Sequence, residues 1–422
     1  MKLIANFIQS FLKRAGSYIF AATIISRVLS FLSSWIAIQL IENKELGEVL
    51  FAWTIITFIL PMVGLGLPQS LIRYGALNDD KNYKQQLLQF VIKKGTLASC
   101  ILVIGLSVVG FVYPFSIKNT TTYLPLLAFS ILPYFFLETI KIQYRLQHNN
   151  KKYAYVEIIN HLLHVFLITA LSSFYNAFGY ALALLLTPTI TVLFFISNSN
   201  ILKNNTTANL KNTKELWRYG FFGGLSNLTS TLLFSIDILL IGSIMSKPEM
   251  VTNYKYISLI PFSMLFLPRV FITTDFVSFT EKITSKSYIF KYIKSYILLF
   301  LLTSIVFLSI SLIFQHQLLS LLDSNLTTYS QSFIILCLGV CGILIFRGLY
   351  GNLLSAIGQV KINYYIAVIA LIVNYFGNQY LIPKYGIMGA AITSAVLMWG
   401  TGIATLICFH FNYYKFLSLK KS

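Results

Sequence analysis

The chain has 422 residues, 56% of them apolar and only 11% charged, with a formal net charge of +19. Its polar residues cluster between apolar runs of membrane-crossing length, which excludes a soluble globular protein and marks an integral membrane protein. The basic residues are spread thinly over many segments instead of one patch or stripe, so the charge argues for contact with an anionic lipid leaflet and against nucleic-acid binding.

A span needs about 20 apolar residues, and about 12 such segments are predicted, each an α-helix because hydrocarbon satisfies no open backbone group. Ahead of them, Leu3, Ile4, Phe7, Ile8, Phe11 and Leu12 recur at helical spacing and end on Lys13 and Arg14. That pattern predicts an interfacial helix over 1–17, and the lack of a small-residue cleavage site argues against a cleaved signal. Span 1 (18–41) carries Arg27, too deep for easy snorkelling. Span 2 (48–70) contains Pro61 and Pro68, predicted kinks, and is followed by Arg73. Spans 3 (95–115) and 4 (123–143) come next, with Glu138 placed to reach Lys141 at i+3. Span 5 (156–175) sets Glu157, His161 and His164 on one face, at i, i+4 and i+7. Such a triplet suits proton coupling, with cavity lining as the plainer use; with no further ligands in reach, no metal site is expected.

Span 6 (178–197) follows the short turn "NAFG", and a polar linker, 198–216, separates it from span 7 (219–245). Asp237 lies well inside span 7, where it suits a pair with Arg27 or a bond to nearby backbone or water. Span 8 (254–277) carries Pro261 and Pro268, with Arg269 directly after the second. Spans 9 to 12 are expected at 295–314, 329–350, 362–381 and 388–411, before a tail over 412–422. Arg347 sits near the inner end of span 10, within snorkelling reach. Cys100, Cys337, Cys341 and Cys408 all fall inside spans, in no metal-ligand spacing, and read as packing residues.

With the N-terminus placed inside, 24 of the 32 basic residues fall on the inner connections and tails, so both termini are expected to be cytoplasmic. Lys141 is among those 24. The two halves also repeat. "LPMVGLGLPQSLI" (60–72) matches "IPFSMLFLPRVFI" (260–272), pairing Pro61 with Pro261 and Pro68 with Pro268. "NNKKYAYVEI" (149–158) matches "IGQVKINYYIA" (357–367), pairing Lys152 with Lys361 and Tyr155 with Tyr364. "NAFGYALALLLT" (176–187) has its counterpart in "PKYGIMGAAITS" (383–394), each a tight outer hairpin whose small residues let helices pack closely. Parallel repeats predict two six-helix lobes, 18–197 and 217–411, related by a pseudo-twofold axis along the membrane normal, with a cavity between them.

The "GLGLPQSLIRYG" stretch of span 2, the "IDILLIGSIMSKPEMVTNYKYI" passage and the closing "LIPKYGIMGAAITSA", on a twelve-span plan, resemble the polysaccharide-transport branch of the multidrug/oligosaccharidyl-lipid/polysaccharide (MOP) superfamily. The likeness extends over the whole chain and is nearest to Wzx-type O-antigen or capsule repeat-unit flippases. The lipid II flippase branch usually has two more helices than this chain has room for. The resemblance implies a MATE-like all-α fold in the bacterial inner membrane. It also implies transfer of an undecaprenyl-pyrophosphate-linked oligosaccharide to the outer leaflet by alternating access. Polysaccharide polymerase and chain-length regulator are the implied protein partners. An anionic pyrophosphate needs fixed positive charge in a hydrated cavity, which nominates Arg27, Arg269, Arg73 and Arg347. Arg27 and Arg269 also resemble cavity arginines of spans 1 and 8 in the lipid II branch. Asp237, Pro68 and Pro268 are nominated for gating. No catalytic motif, phosphate-binding glycine loop or long outer loop appears, so an enzyme is not expected, no cofactor is implied, and an ion gradient or substrate flow would drive transport. The competing readings are a drug or cation antiporter of the related extrusion family, which would need a concentrated acidic site, and an O-antigen polymerase, which would need a large outer loop.

Overall fold

A computed structural model describes residues 17–77, 80–197, 213–269, 271 and 282–419. The interfacial helix expected over 1–17 and most of the linker expected over 198–216 lie outside the described residues. So do the end of the expected span 8 and the last residues of the tail.

The described residues are helical almost throughout. In chain order they form α1 (Ser17–Leu40), α2 (Asn43–Ile59), a 3-10 segment (Leu60–Gly66), α3 (Leu67–Leu77), α4 (Lys81–Val112), α5 (Thr120–Ala128), α6 (Ile131–Leu146), α7 (Asn150–Ile196) and α8 (Thr213–Met245). There follow α9 (Pro248–Ile257), α10 (Leu259–Ser263), α11 (Lys286–Ile313), α12 (Gln315–Ser320), a 3-10 turn (Ser324–Tyr329), α13 (Ser330–Gly342), a π-helical turn (Ile343–Arg347), α14 (Gly348–Ala356), α15 (Val360–Tyr385) and α16 (Ile387–Leu419). Nine helices among the described residues are long and apolar enough to cross a membrane, and Ser235–Met245 and Leu259–Arg269 are shorter apolar helices. One of the nine, Asn150–Ile196, has 47 residues, about twice what a span needs, and is broken at Asn176 into the expected spans 5 and 6. The fold is an all-α membrane fold. The stretch expected as a tail from 412 continues α16 to Leu419.

Contacts gather the chain into two compact units, 17–252 and the residues from Asn253 onward. The division therefore falls inside α9, past the expected linker, and α8 packs with the first unit. The reason is visible in the small residues of α8. A Cβ on Gly66 would collide with the Gly220 carbonyl, and one on Gly224 would lie 3.2 Å from the Gly66 Cα. The break after α2 thus rests backbone on backbone against α8. Gly64, Leu65 and Gly66 all have positive φ there, and the Gly64 N–H donates to the Ser99 hydroxyl at 2.9 Å. Irregular backbone at membrane depth survives only where such partners bury it.

The second unit shows what the small residues of "GIMGAAITSA" do. A Cβ on Gly389 would strike the Leu381 carbonyl across the α15–α16 hairpin, and one on Gly339 would lie 2.7 Å from the Ala395 Cα. Ala390 and Ala391 are fully buried. In the first unit, Gly179 meets the Leu171 carbonyl in the same way.

The backbone also corrects the register of the repeat. Asn176 (φ 48°, ψ −129°) and Gly386 (φ 57°, ψ −134°) share one rare conformation, and Gly179 and Gly389 each follow three residues later. His148 and Gly358 are matching left-handed helix caps, with Asn149 N–H bonded to Tyr144 O and Gln359 N–H to Leu354 O. All these pairs are 210 residues apart. Lys361 therefore corresponds to Lys151, not Lys152, and Tyr365, not Tyr364, to Tyr155. Identities among apolar residues left the sequence match free to slip, whereas a cap and a hairpin turn are fixed points. The proline pairs mark breaks in both halves, but of different kinds. The second break, around Met264, uses i→i+3 bonds (Met264 to Pro261, Leu265 to Phe262, Leu267 to Met264) and has no positive φ among its described residues.

Candidate functional site

The first unit holds a cluster of ionisable side chains on α1, α6 and the first half of α7. Helical spacing on α7 stacks Tyr153, Glu157, Asn160, His161 and His164 along one side. Long-range packing then brings partners to each. Lys141 of α6 bonds Glu138 Oε1 at 2.6 Å, one turn back on its own helix, and Glu157 Oε1 at 2.8 Å. Tyr153 donates to the same Glu157 oxygen at 3.3 Å. Glu157 Oε2 faces His161 Nε2 at 3.9 Å, and His161 Nδ1 lies 3.2 Å from the Ser30 hydroxyl of α1. A ring proton on Nε2 faces the carboxylate favourably, which leaves Nδ1 to accept from Ser30.

Arg27 lies one helical turn before Ser30, is exposed within the unit, and is close enough for its charge to act on the His161 ring. His164 takes a different partner. Its Nδ1 is 3.2 Å from Thr187 Oγ1, and since that hydroxyl donates to Ala183 O at 2.7 Å, the imidazole is the donor. Thr191 bonds Asn160 at 3.1 Å, so the second half of α7 closes this polar seam. Asp237 of α8 is completely buried in the same unit.

The structure thus brings Glu157, His161 and Arg27 into one electrostatic neighbourhood and sets His164 beside it. Three members were missed in the sequence. Lys141 falls among the inner connection charges in the sequence, yet its side chain is 15% exposed and shared by two carboxylates. Ser30 and Tyr153 sit one turn from Arg27 and Glu157, a spacing that carries a weak signal. The expected Glu138–Lys141 contact is present.

The remaining nominated residues are placed elsewhere. Arg73 of α3 is exposed, with its guanidinium 4.4 Å from the Tyr219 ring centroid and 6.0 Å from that of Tyr74, whose hydroxyl donates to Glu215 at 2.9 Å. In the second unit, Arg269 is exposed, and the buried Pro268 packs against Gly348, whose Cβ would lie 2.8 Å from it. Arg347 donates to Thr401 of α16 at 3.0 Å and is half-buried. Pro68 is buried at the start of α3. Among the described residues no group of three His, Cys, Asp or Glu is arranged to hold a metal ion.

Several solved membrane-protein structures share this fold. A MATE-family multidrug resistance transporter of the MOP superfamily, inward-facing, superposes with a TM-score of 0.69 at 14% identity, covering 96% of this chain and 99% of that one. The lipid II flippase MurJ, in an inward closed conformation, gives 0.67 at 18% identity over 94% and 89%. A MOP superfamily transporter from Pyrococcus furiosus gives 0.65 at 15% identity over 98% and 96%. No curated protein matches the sequence. Residues 12–267 match the family of polysaccharide biosynthesis proteins, which is more than half of the chain, and this protein belongs to that family.

Proposed function

We propose that this protein is a flippase that carries an undecaprenyl-pyrophosphate-linked oligosaccharide repeat unit from the cytoplasmic to the outer leaflet of the bacterial inner membrane, for O-antigen or capsule assembly. The observation that carries the reading is the conjunction of two findings: membership of a polysaccharide biosynthesis family, and a MOP transporter fold in which the lipid II flippase MurJ is a structural neighbour. Arg27, Arg73, Arg269 and Arg347 are the headgroup residues, because guanidinium stays charged and binds phosphate oxygens in pairs. Asp237, Pro68 and Pro268 serve gating in an alternating-access cycle of two six-helix lobes, 18–197 and 217–411, with both termini in the cytoplasm. A polysaccharide polymerase and a chain-length regulator would take the product onward.

The test is the leaflet location of the lipid-linked oligosaccharide in cells lacking this chain. Single repeat units accumulating on the cytoplasmic face are the expected result; accumulation on the outer face would point to polymerisation and overturn the reading. A drug or cation antiporter is the second reading, supported by the likeness to a MATE-family transporter. It predicts loss of drug resistance in the same cells, with the lipid-linked sugar distributed normally.

A further inference from the structure

The ionisable cluster of the first unit has no counterpart in the second. At the register set by the paired caps and hairpins, Glu138, Lys141, Glu157 and His161 correspond to Gly348, Gly351, Ala367 and Leu371. Both halves build the same helix–cap–helix passage, α6 into α7 and α14 into α15, but at these four positions the second half carries no ionisable group. The fold therefore does not require them. Nor does stability, since a buried ion pair is commonly no better than apolar residues of similar volume.

What the cluster does have is a variable charge. Arg27 and Lys141 are cationic and Glu138 and Glu157 anionic, so these four balance, and the state of His161 sets the net charge. Its surroundings accept either state. The Ser30 hydroxyl can donate to Nδ1 of the neutral ring or accept from Nδ1–H of the cation, and Nε2–H faces Glu157 in both. The groups acting on His161 are Arg27 and Ser30 from α1, Lys141 from α6, and Glu157 and His164 from α7; behind them Glu138 holds Lys141, Tyr153 holds Glu157, and Tyr134 lies near this pair.

We propose that His161 is a protonation switch for the anion site at Arg27, binding a proton and a diphosphate with positive coupling. This rests on the reading of Arg27 as a headgroup residue. A proton on His161 adds positive charge beside Ser30, which lies one helical turn from Arg27, and so favours an anion at Arg27. By linkage the bound anion favours the proton to the same degree.

The test uses the purified full-length chain in detergent with inorganic pyrophosphate as the probe, its affinity measured by calorimetry between about pH 5.5 and 8, where histidine titrates. Relative to His161→Gln, in which the protonation of pyrophosphate itself is the same, parent affinity is expected to rise toward the acid end by about fivefold or more, the lower range of typical site-to-site coupling, and to equal it at the alkaline end. Arg27→Ala is expected to lose binding. His161→Leu, which installs the residue of the other half, repeats the test should the Gln variant not fold. Parent binding that depends on Arg27 while the parent-to-variant affinity ratio stays the same at every pH for both His161 variants overturns the switch and leaves Arg27 in place. Pyrophosphate binding unchanged in Arg27→Ala, or absent from the parent, removes the Arg27 reading and the switch with it. Thermal-unfolding midpoints over the same pH range, without pyrophosphate, read the proton alone. A step that vanishes in the His161 variants is expected, and its absence from the parent also overturns the switch.

Discussion

Lys141 is held by two carboxylates, and each part of that arrangement can be weighed. Removing the cation alone, as in Lys141→Met, leaves Glu157 facing Glu138 with no compensating charge. Breaking a buried pair in this way costs about 3–5 kcal/mol; because Glu138 is 45% exposed, the lower end of that range applies. Combining Lys141→Met with Glu157→Ala removes the conflict, and the double variant should recover most of the lost stability, as Ala367 and Gly351 already do in the other half. Thermal unfolding of Lys141→Met, Glu157→Ala and the double variant decides this; a double variant as unstable as Lys141→Met alone would show that the cost lies in packing. At Arg27 the expectation concerns function. Arg27→Ala should abolish transport at normal protein level, while Arg27→Lys keeps the charge without the paired geometry and retains part of it. Full transport by the Ala variant removes Arg27 from the mechanism.

At the scale of the element, two turns carry the same rare backbone with different residues. Gly386 adopts it at no steric cost, whereas Asn176 is held in a region that glycine alone visits readily, worth about 1–3 kcal/mol of strain. Asn176→Gly is therefore expected to stabilise the first unit by about 1 kcal/mol after the extra chain entropy of glycine. An unchanged or lower melting midpoint would mean that the Asn side chain contributes more than the strain. A second contrast separates backbone conformation from crowding. Gly66 and Gly358 both have φ near 80°, but a Cβ on Gly66 strikes the Gly220 carbonyl while one on Gly358 meets open space. Gly358→Ala should cost about 1–2 kcal/mol, the left-handed penalty alone. Gly66→Ala adds overpacking of about 1–3 kcal/mol and should disturb the seating of α8. Equal costs would deny the close approach. The sequence showed that these turns exist, since Gly and Asn between apolar runs announce them. It did not show their register, because the determining signals are a φ angle and a carbonyl eight residues back.

Across the whole molecule, hydropathy revealed the all-α membrane fold and the order of its helices, because membrane thickness dictates helix length. Hydropathy is blind to which helices pack together. The linker after α7 suggested a boundary at 198–216, yet Gly220, Gly224 and Gly242 let α8 pack against the 3-10 break and against Phe51, and the contact boundary moved to 252. The ionisable cluster was half legible for the same reason: one helix face displays Glu157, His161 and His164, while Lys141 and Ser30 arrive from other helices. The two proline breaks raise the matching question for movement. In the proposed alternating-access cycle both second spans of the repeat must bend, one at left-handed residues braced by α8, the other at i→i+3 turns where Pro268 sits on Gly348. Pro68, in the first turn of α3, and Pro268 have no N–H to donate back across the break, so neither helix can run through it unbroken. Replacing Pro68 and Pro268 together with Ala should let both helices close, slowing transport several-fold while protein level and melting midpoint hold. Each single variant should slow it less, since one flexible break remains. Transport at the parent rate in the double variant would place the bending elsewhere: at the left-handed Gly64–Gly66 turn in the first half, and in the second at the turns around Met264, which Pro261 would then have to hold alone.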